Sequence, residues 1–159
     1  MRAQVLRSRS PAAGGGGRNA NTLLMTASAL LAIAGLCIAA YLSAVHYVDQ
    51  PIACSSIGDC ELVNSSRYAE LAGVPVALLG AAAYASILAL VAGAWLRRAG
   101  DLLLAAWGVA LGGFAFSVYL TWIELRVLDA ICAYCVASAC VMTALFASLS
   151  ASVLRAGDG

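Results

Sequence analysis

Long apolar stretches separated by short polar ones dominate this chain. Four stretches contain no Asp, Glu or Arg: residues 19–48, 71–96, 102–123 and 130–154, which are 30, 26, 22 and 25 residues long. As a helix, even the shortest would extend roughly 33 Å, enough to cross a bilayer hydrocarbon core of about 30 Å. The stretches are apolar on all sides, whereas the helices of a soluble bundle carry a polar face. The pattern predicts an all-α integral membrane protein, a bundle of four transmembrane helices.

The same pattern sets the domain organisation. Residues 1–20 contain a run of four glycines and are expected to form a flexible cytoplasmic tail. Residues 21–154 form the membrane domain, and residues 155–159 form a short second tail. The transmembrane helices are expected at about residues 22–46, 75–96, 102–123 and 131–154.

Composition and charge agree with a membrane protein and orient it. Of all residues, 63% are hydrophobic and 11% are charged, against roughly 25% charged in soluble domains. The net charge of +1 excludes a polybasic nucleic-acid surface. With the N-terminus inside, seven of the nine arginines lie on the cytoplasmic side, and only Arg67 and Arg126 lie outside. This positive-inside bias predicts that both termini face the cytoplasm.

This topology gives the six cysteines different environments. Cys37 and Cys140 fall within membrane helices, where a free cysteine usually serves as a small hydrophobic side chain. The other four share the extracytoplasmic side, where disulfides form and persist: Cys54, Cys60, Cys132 and Cys135.

Cys132 and Cys135 form a CxxC motif at the start of the fourth helix. Residues three apart share a helix face, and the free amides of the first turn favour a thiolate, the attacking species in disulfide exchange. Asp129 is a candidate cap of this helix, although its charge would oppose the thiolate. Cys135 lies one turn deeper than Cys132, so it is expected to face any apolar cofactor among the helices, whereas Cys132 faces the loop.

Cys54 and Cys60 flank five turn-forming residues in the first outer loop. A disulfide closing so short a loop contributes only about 2 kcal/mol to folding stability, which favours a role in disulfide exchange over a structural role. Spacing alone leaves two alternatives open: two inert extracytoplasmic disulfides, or a zinc site built from the four thiols. We expect no metal site.

The order of these motifs resembles the vitamin K epoxide reductase family, in its bacterial disulfide-forming branch. The resemblance covers about residues 20–154. It rests on two ordered cysteine pairs and on the intervening motifs: Ser65-Ser66-Arg67-Tyr68, Gly73-Val74-Pro75, Gly80, Tyr84 and the run from Tyr119 to Leu125.

The resemblance implies a four-helix bundle around a quinone, with a short amphipathic helix covering its mouth at roughly residues 62–72. Electrons would enter at Cys54, pass to Cys60 and then to Cys132 by a mixed disulfide, and Cys135 would complete the disulfide as quinone is reduced. Ser66 matches a family serine that supports this exchange by hydrogen bonding. From the residues alone, it could equally be a hydroxyl on a helix surface.

Two departures from the family pattern concern the quinone. Animal enzymes contact the naphthoquinone oxygens with an Asn and a Tyr, and the matching positions here are Val76 and Ala139. We therefore do not expect epoxide reduction. We expect instead a respiratory quinone, menaquinone or ubiquinone, that is held mainly by apolar contacts. The candidate lining residues, besides Cys135, are Phe116, Tyr119, Ile123, Tyr84 and Tyr134.

Some bacterial relatives carry a fused thioredoxin-like domain, whereas five residues follow Leu154 here. The resemblance therefore implies a separate, DsbA-like thioredoxin-fold partner and a place in the bacterial plasma (inner) membrane. Two alternatives remain at this point. One is the other family of four-helix quinone-dependent disulfide oxidases, in which the CxxC comes first rather than last. The other is a non-enzymatic tetraspan membrane protein with structural disulfides.

Overall fold

The protein is described by a computed structural model covering residues 14–48, 60–64, 66, 68–71 and 73–157. Its elements follow one another in chain order. They are α1 (Gly14–Val48), α2 (Cys60–Asn64), β1 (Glu70–Leu71), β2 (Val74–Pro75), α3 (Val76–Arg97), α4 (Gly100–Ile123), a π-helical turn (Glu124–Leu128) and α5 (Ala133–Gly157).

Four of these helices are long and apolar enough to cross a membrane. Their spans are Asn21–Val48, Val76–Arg97, Gly100–Leu128 and Ala133–Gly157. Many of their large apolar side chains are exposed on the bundle surface, as expected where lipid rather than water is the solvent. The prediction of an all-α, four-helix membrane bundle is confirmed.

The four long helices pack in a closed ring in the order α1, α3, α4, α5. Small and branched apolar side chains fill its centre, among them Ala32, Ala106, Ala110, Leu145 and Leu149. α1 and α3 pack tightly at Gly35, where an added Cβ would overlap the ring of Tyr84. The C-terminal ends of α1 and α4 and the N-terminal ends of α3 and α5 lie at one end of the bundle, together with Cys60 and Cys132.

At the opposite end, neutral hydrogen bonds connect the helices. The hydroxyls of Ser28 and Ser148 lie 2.9 Å apart and join α1 to α5. The indole N–H of Trp107 donates to the Ser150 hydroxyl at 3.0 Å and joins α4 to α5. Such contacts hold membrane helices together without introducing charge.

The structure differs from the expected N-terminal tail. α1 continues back to Gly14, so the glycine run expected in a flexible tail belongs to the helix. Glycine has low helix propensity, but each residue added to an existing helix gains a backbone hydrogen bond. Residues 1–13 lie outside the described chain.

The element expected to cover the bundle mouth is also different. In place of a helix over residues 62–72, α2 ends at Asn64 and is followed by tight turns and a two-stranded hairpin. Gly73 has φ of +81°, a conformation that glycine adopts without strain, and it forms the hairpin turn. Pro75 then lacks the N–H that a helix interior would need. His46 of α1 pairs with Glu70 of the hairpin at 3.2 Å. We call α2 through β2 the lid.

Candidate active site

Cys132 itself caps α5. Its carbonyl accepts the first helical hydrogen bond, from the N–H of Val136 at 3.0 Å, and its Sγ accepts the N–H of Cys135 at 3.4 Å. This is the bonding of an N-cap residue, with sulfur in place of the usual oxygen. Asp129, considered above as a cap, instead ends the π-helical turn with φ of 48° and is exposed.

These contacts bear on the acidity of Cys132. The hydrogen bond from the Cys135 thiol is the largest influence and lowers the pKa of Cys132, and the backbone N–H groups of Cys135 and Tyr134 lower it further. Burial and the nearby charge of Glu124 act in the opposite direction. The net pKa lies below the ordinary thiol value, so Cys132 is suited to thiolate chemistry.

The lid brings a loop cysteine to the CxxC. Cys60 is 1% exposed and Cys132 is 0% exposed, and both belong to one small buried cluster with Val63 and Ala130. Cys60 is disulfide-bonded, whereas Cys132 and Cys135 are free thiols. Cys54 lies outside the described residues.

An apolar cavity of about 370 Å³ lies between the lid and the helices. Cys135 lines it, together with three of the predicted residues, Tyr84, Phe116 and Ile123. Val76 and Ala139, which replace polar residues of the animal enzymes, line it as well.

Two predicted lining residues lie elsewhere. Tyr119 is 53% exposed on α4 and is not among the residues that line the cavity, although its ring packs against that of Phe116, with the ring centres 6.2 Å apart. Tyr134 packs its ring against Tyr41 of α1, with the ring centres 5.3 Å apart, and is not among the residues that line the cavity. Tyr119 lies within one turn of the lining residues Phe116 and Ile123, and Tyr134 is next to Cys135 in the chain, so sequence spacing alone does not separate these two from the residues that line the cavity.

Tyr84 and Ser66 also line the cavity, and each hydroxyl has a partner. The Tyr84 hydroxyl donates to the carbonyl of Ser138 at 2.9 Å and thereby joins α3 to α5. The Ser66 hydroxyl donates to the carbonyl of Val63 at 2.8 Å and closes the turn after α2. Ser66 thus holds the lid segment that carries Cys60.

Glu124 is a site residue that the sequence reasoning missed, since it was assigned to the outer loop. It is 5% exposed and lines the cavity. Its Oε2 accepts the N–H of Cys132 at 3.3 Å, and its carboxyl group hydrogen bonds with the Cys135 thiol. The available signal was its position, directly after an apolar run and eight residues before the CxxC.

The remaining cysteines and metal chemistry complete the description. Cys37 and Cys140 are exposed free thiols on the bundle surface, and neither lines the cavity. In the part of the chain that the structure describes, no group of three or more His, Cys, Asp or Glu side chains is arranged to hold a metal ion.

Comparison with known protein families gives one match. Residues 26–149, most of the chain, match the family described as the vitamin K epoxide reductase family. The matched segment contains both CxxC cysteines, Cys60 and Glu124.

Proposed function

The chain belongs to the vitamin K epoxide reductase family, and from that premise we propose that it is a quinone-dependent thiol oxidase. It takes electrons from a reduced thioredoxin-fold partner, passes them through the loop cysteines and the CxxC to a membrane quinone, and so supports disulfide formation. Family membership establishes the coarser point, a membrane redox function in disulfide and quinone chemistry. The partner, the bacterial inner membrane and the extracytoplasmic position of the cysteines belong to the proposal.

One observation carries the proposal: the two CxxC cysteines face different surroundings. Cys132 is packed in the buried cluster with Cys60, while Cys135 lines the apolar cavity. A relay needs one sulfur that exchanges with the loop disulfide and a second one beside the electron acceptor. In addition, both CxxC cysteines are free thiols, whereas a purely structural role would require a disulfide between them.

The cavity residues fit a quinone. The volume of about 370 Å³ is within the usual range of small-molecule sites, and most of the lining is aliphatic or aromatic. Phe116, Ile123 and Val76 would contact the ring and the start of its tail, and the Cys135 thiol and Glu124 provide polar groups. When bound, a quinone accepts two electrons and two protons.

The chain's own residues then act in sequence. The loop disulfide oxidises the partner's dithiol, and the resulting loop dithiol is oxidised by a Cys132–Cys135 disulfide through a Cys60–Cys132 mixed disulfide. This restores the loop disulfide and leaves the CxxC as two thiols, which is the redox state that the structure has at Cys60, Cys132 and Cys135. The S–S bond of the CxxC re-forms when its two thiols are oxidised and their two electrons pass to the acceptor.

The test is reduction of a soluble quinone analogue by the purified protein with a dithiol as electron donor. We expect turnover in the wild type and in Cys37→Ala, because Cys37 is on the bundle surface, and none in Cys135→Ala, a matched cysteine-to-alanine change. The proposal fails if the wild type reduces no quinone under conditions in which its disulfides exchange. The structural tetraspan alternative would then account for the chain better.

A further inference from the structure

Resting on the proposed function, we infer that Glu124 is a catalytic residue, the base that takes the thiol proton of Cys135 when the CxxC is oxidised and returns it to the bound quinone. Three observations meet at this side chain: it is buried, it accepts the backbone N–H of Cys132, and it lines the same cavity as Cys135.

Burial of the Glu124 carboxyl group is energetically unfavourable, which points to a functional role. A carboxyl group 5% exposed within an apolar helix span is expensive, and such groups usually mark function. Within the described residues, Glu124 forms no salt bridge, so no cation offsets that cost. Its backbone is held by the π-helical turn, because the Glu124 carbonyl accepts the N–H groups of Asp129 and Ala130. Such turns are frequent at functional sites.

Other groups near the cavity do not offer the same chemistry. Among the described lining residues, Glu124 is the one carboxylic acid. The Tyr84 hydroxyl already donates to the carbonyl of Ser138. The Cys132 sulfur is the partner in the S–S bond and cannot hold the proton once that bond forms.

The step balances in atoms and electrons. The Cys135 S–H bond breaks and its proton moves to a Glu124 oxygen, while the S–S bond forms between Cys135 and the thiolate of Cys132. Two electrons leave the sulfurs for the quinone. A bound quinone would take one proton from Glu124 and one from solvent, to which Cys132 released its own proton on becoming a thiolate. Glu124 would thereby return to a carboxylate.

Glu124→Gln separates this role from a structural one. The amide keeps an oxygen that can accept the N–H of Cys132 but has almost no basicity. Asp129→Asn is the matched control: it removes the same charge three residues before the CxxC, the side chain is exposed, and asparagine tolerates the φ of 48°.

The first readout needs no quinone. Purified quinone-free protein with a reduced CxxC is treated with N-ethylmaleimide, and alkylation of Cys135 and Cys140 is followed by fragmentation mass spectrometry. If Glu124 is the base, Glu124→Gln slows alkylation of Cys135 by about 10²-fold or more. Alkylation of the surface thiol Cys140 stays the same, and Asp129→Asn alkylates like the wild type.

The opposite results would overturn the inference. If the carboxylate acted only through its charge, its removal would favour the Cys135 thiolate and speed alkylation. If Glu124 only fixed the backbone, Glu124→Gln would leave the rate unchanged. Partial recovery of the rate in Glu124→Asp would support the base, since a shorter carboxylate keeps the basicity.

Turnover separates this inference from the proposed function. We expect Glu124→Gln to slow quinone reduction by about 10²-fold, while formation of the Cys60–Cys132 mixed disulfide keeps its wild-type rate. If the wild type and Glu124→Gln reduced quinone equally fast, the role of Glu124 as a base would be refuted and the proposed function would stand. A wild type that reduces no quinone would refute the proposed function, and the alkylation rates would still decide whether Glu124 acts as a base toward Cys135.

Discussion

The two ends of the helix bundle handle buried polar groups in opposite ways. At the end away from the cysteines, the side-chain hydrogen bonds that join helices are between neutral groups, as in the Ser28–Ser148 pair and the Trp107–Ser150 hydrogen bond. At the cysteine end, the buried polar groups include, besides neutral hydroxyls, three that form one connected ionisable set: the two CxxC thiols and the carboxyl group of Glu124. Neutral hydrogen bonds hold membrane helices together at little cost, whereas ionisable groups are retained where chemistry needs them.

Tyr84 marks the boundary between these regions. Its ring is buried among α1, α3 and α5, and its hydroxyl reaches Ser138 at the floor of the cavity. Tyr84 therefore belongs both to the apolar core and to the lining of the cavity. The comparison suggests that substitutions at the cysteine end alter turnover without altering stability, and that substitutions at the far end do the reverse.

The largest expected effect is at Cys132. Cys132→Ser retains a good N-cap for α5, because a serine hydroxyl accepts the same N–H that the sulfur does. It cannot form a disulfide, so we expect complete loss of dithiol-dependent quinone reduction, with a free energy of unfolding within about 0.5 kcal/mol of wild type. Turnover assays and denaturant titration in detergent check both. Cys140→Ser is the control, and appreciable turnover in Cys132→Ser would contradict the relay.

A pH titration of the Cys132 thiol sharpens the same region. The Cys135 hydrogen bond lowers the pKa of Cys132, so at a pH below the ordinary thiol pKa of about 8.5 a larger fraction is thiolate than in a free cysteine. The thiolate ultraviolet absorbance of the reduced protein, taken as the difference from Cys132→Ser, should reach its midpoint below that value. Cys135→Ala removes the largest cause and should move the midpoint upward. An unchanged midpoint would show that the helix amides suffice.

The features of this protein that the sequence predicts are those that depend on composition and local spacing. The number of helices follows from the number of uncharged runs longer than the bilayer core, because a continuous apolar helix satisfies all of its own backbone hydrogen bonds in lipid. The motif order was enough for the family, and the CxxC spacing placed Cys132 at the helix start. These features depend on local spacing or on composition.

The rest depends on how elements meet. The lid was expected to be a helix, but Gly73 and Pro75 favour a hairpin once the segment is tied to α1 through His46 and Glu70. Tyr119 is exposed and does not line the cavity, although it lies within one helical turn of the lining residues Phe116 and Ile123. Glu124 lies just beyond the helix predicted over residues 102–123, but it continues α4 in αR geometry, four residues after the lining residue Leu120. Its contact with the N–H of Cys132 depends on how α4 and α5 meet, which spacing does not show.

Close packing between α1 and α3 gives a prediction on stability. Gly35→Ala places a methyl group where the Tyr84 ring lies, and the ring is held by its own hydrogen bond. We expect a loss of about 1–3 kcal/mol in the free energy of unfolding, the usual cost of overpacking. Gly112→Ala adds the same methyl group to open space and should change stability by less than about 0.5 kcal/mol. Equal stability of the two variants would contradict the close approach at Gly35.

The smallest expected effect is at the end away from the cysteines. Ser150→Ala removes the acceptor of the Trp107 indole N–H, and interhelical hydrogen bonds in membranes contribute about 0.6 kcal/mol on average. We expect a destabilisation of that size with unchanged quinone reduction. Ser86→Ala is the control, because the Ser86 hydroxyl bonds only within its own helix, to the carbonyl of Ala82. If Ser150→Ala slowed quinone reduction while the bundle remained folded, the two ends would be coupled. The claim that far-end substitutions affect stability but not turnover would then be wrong.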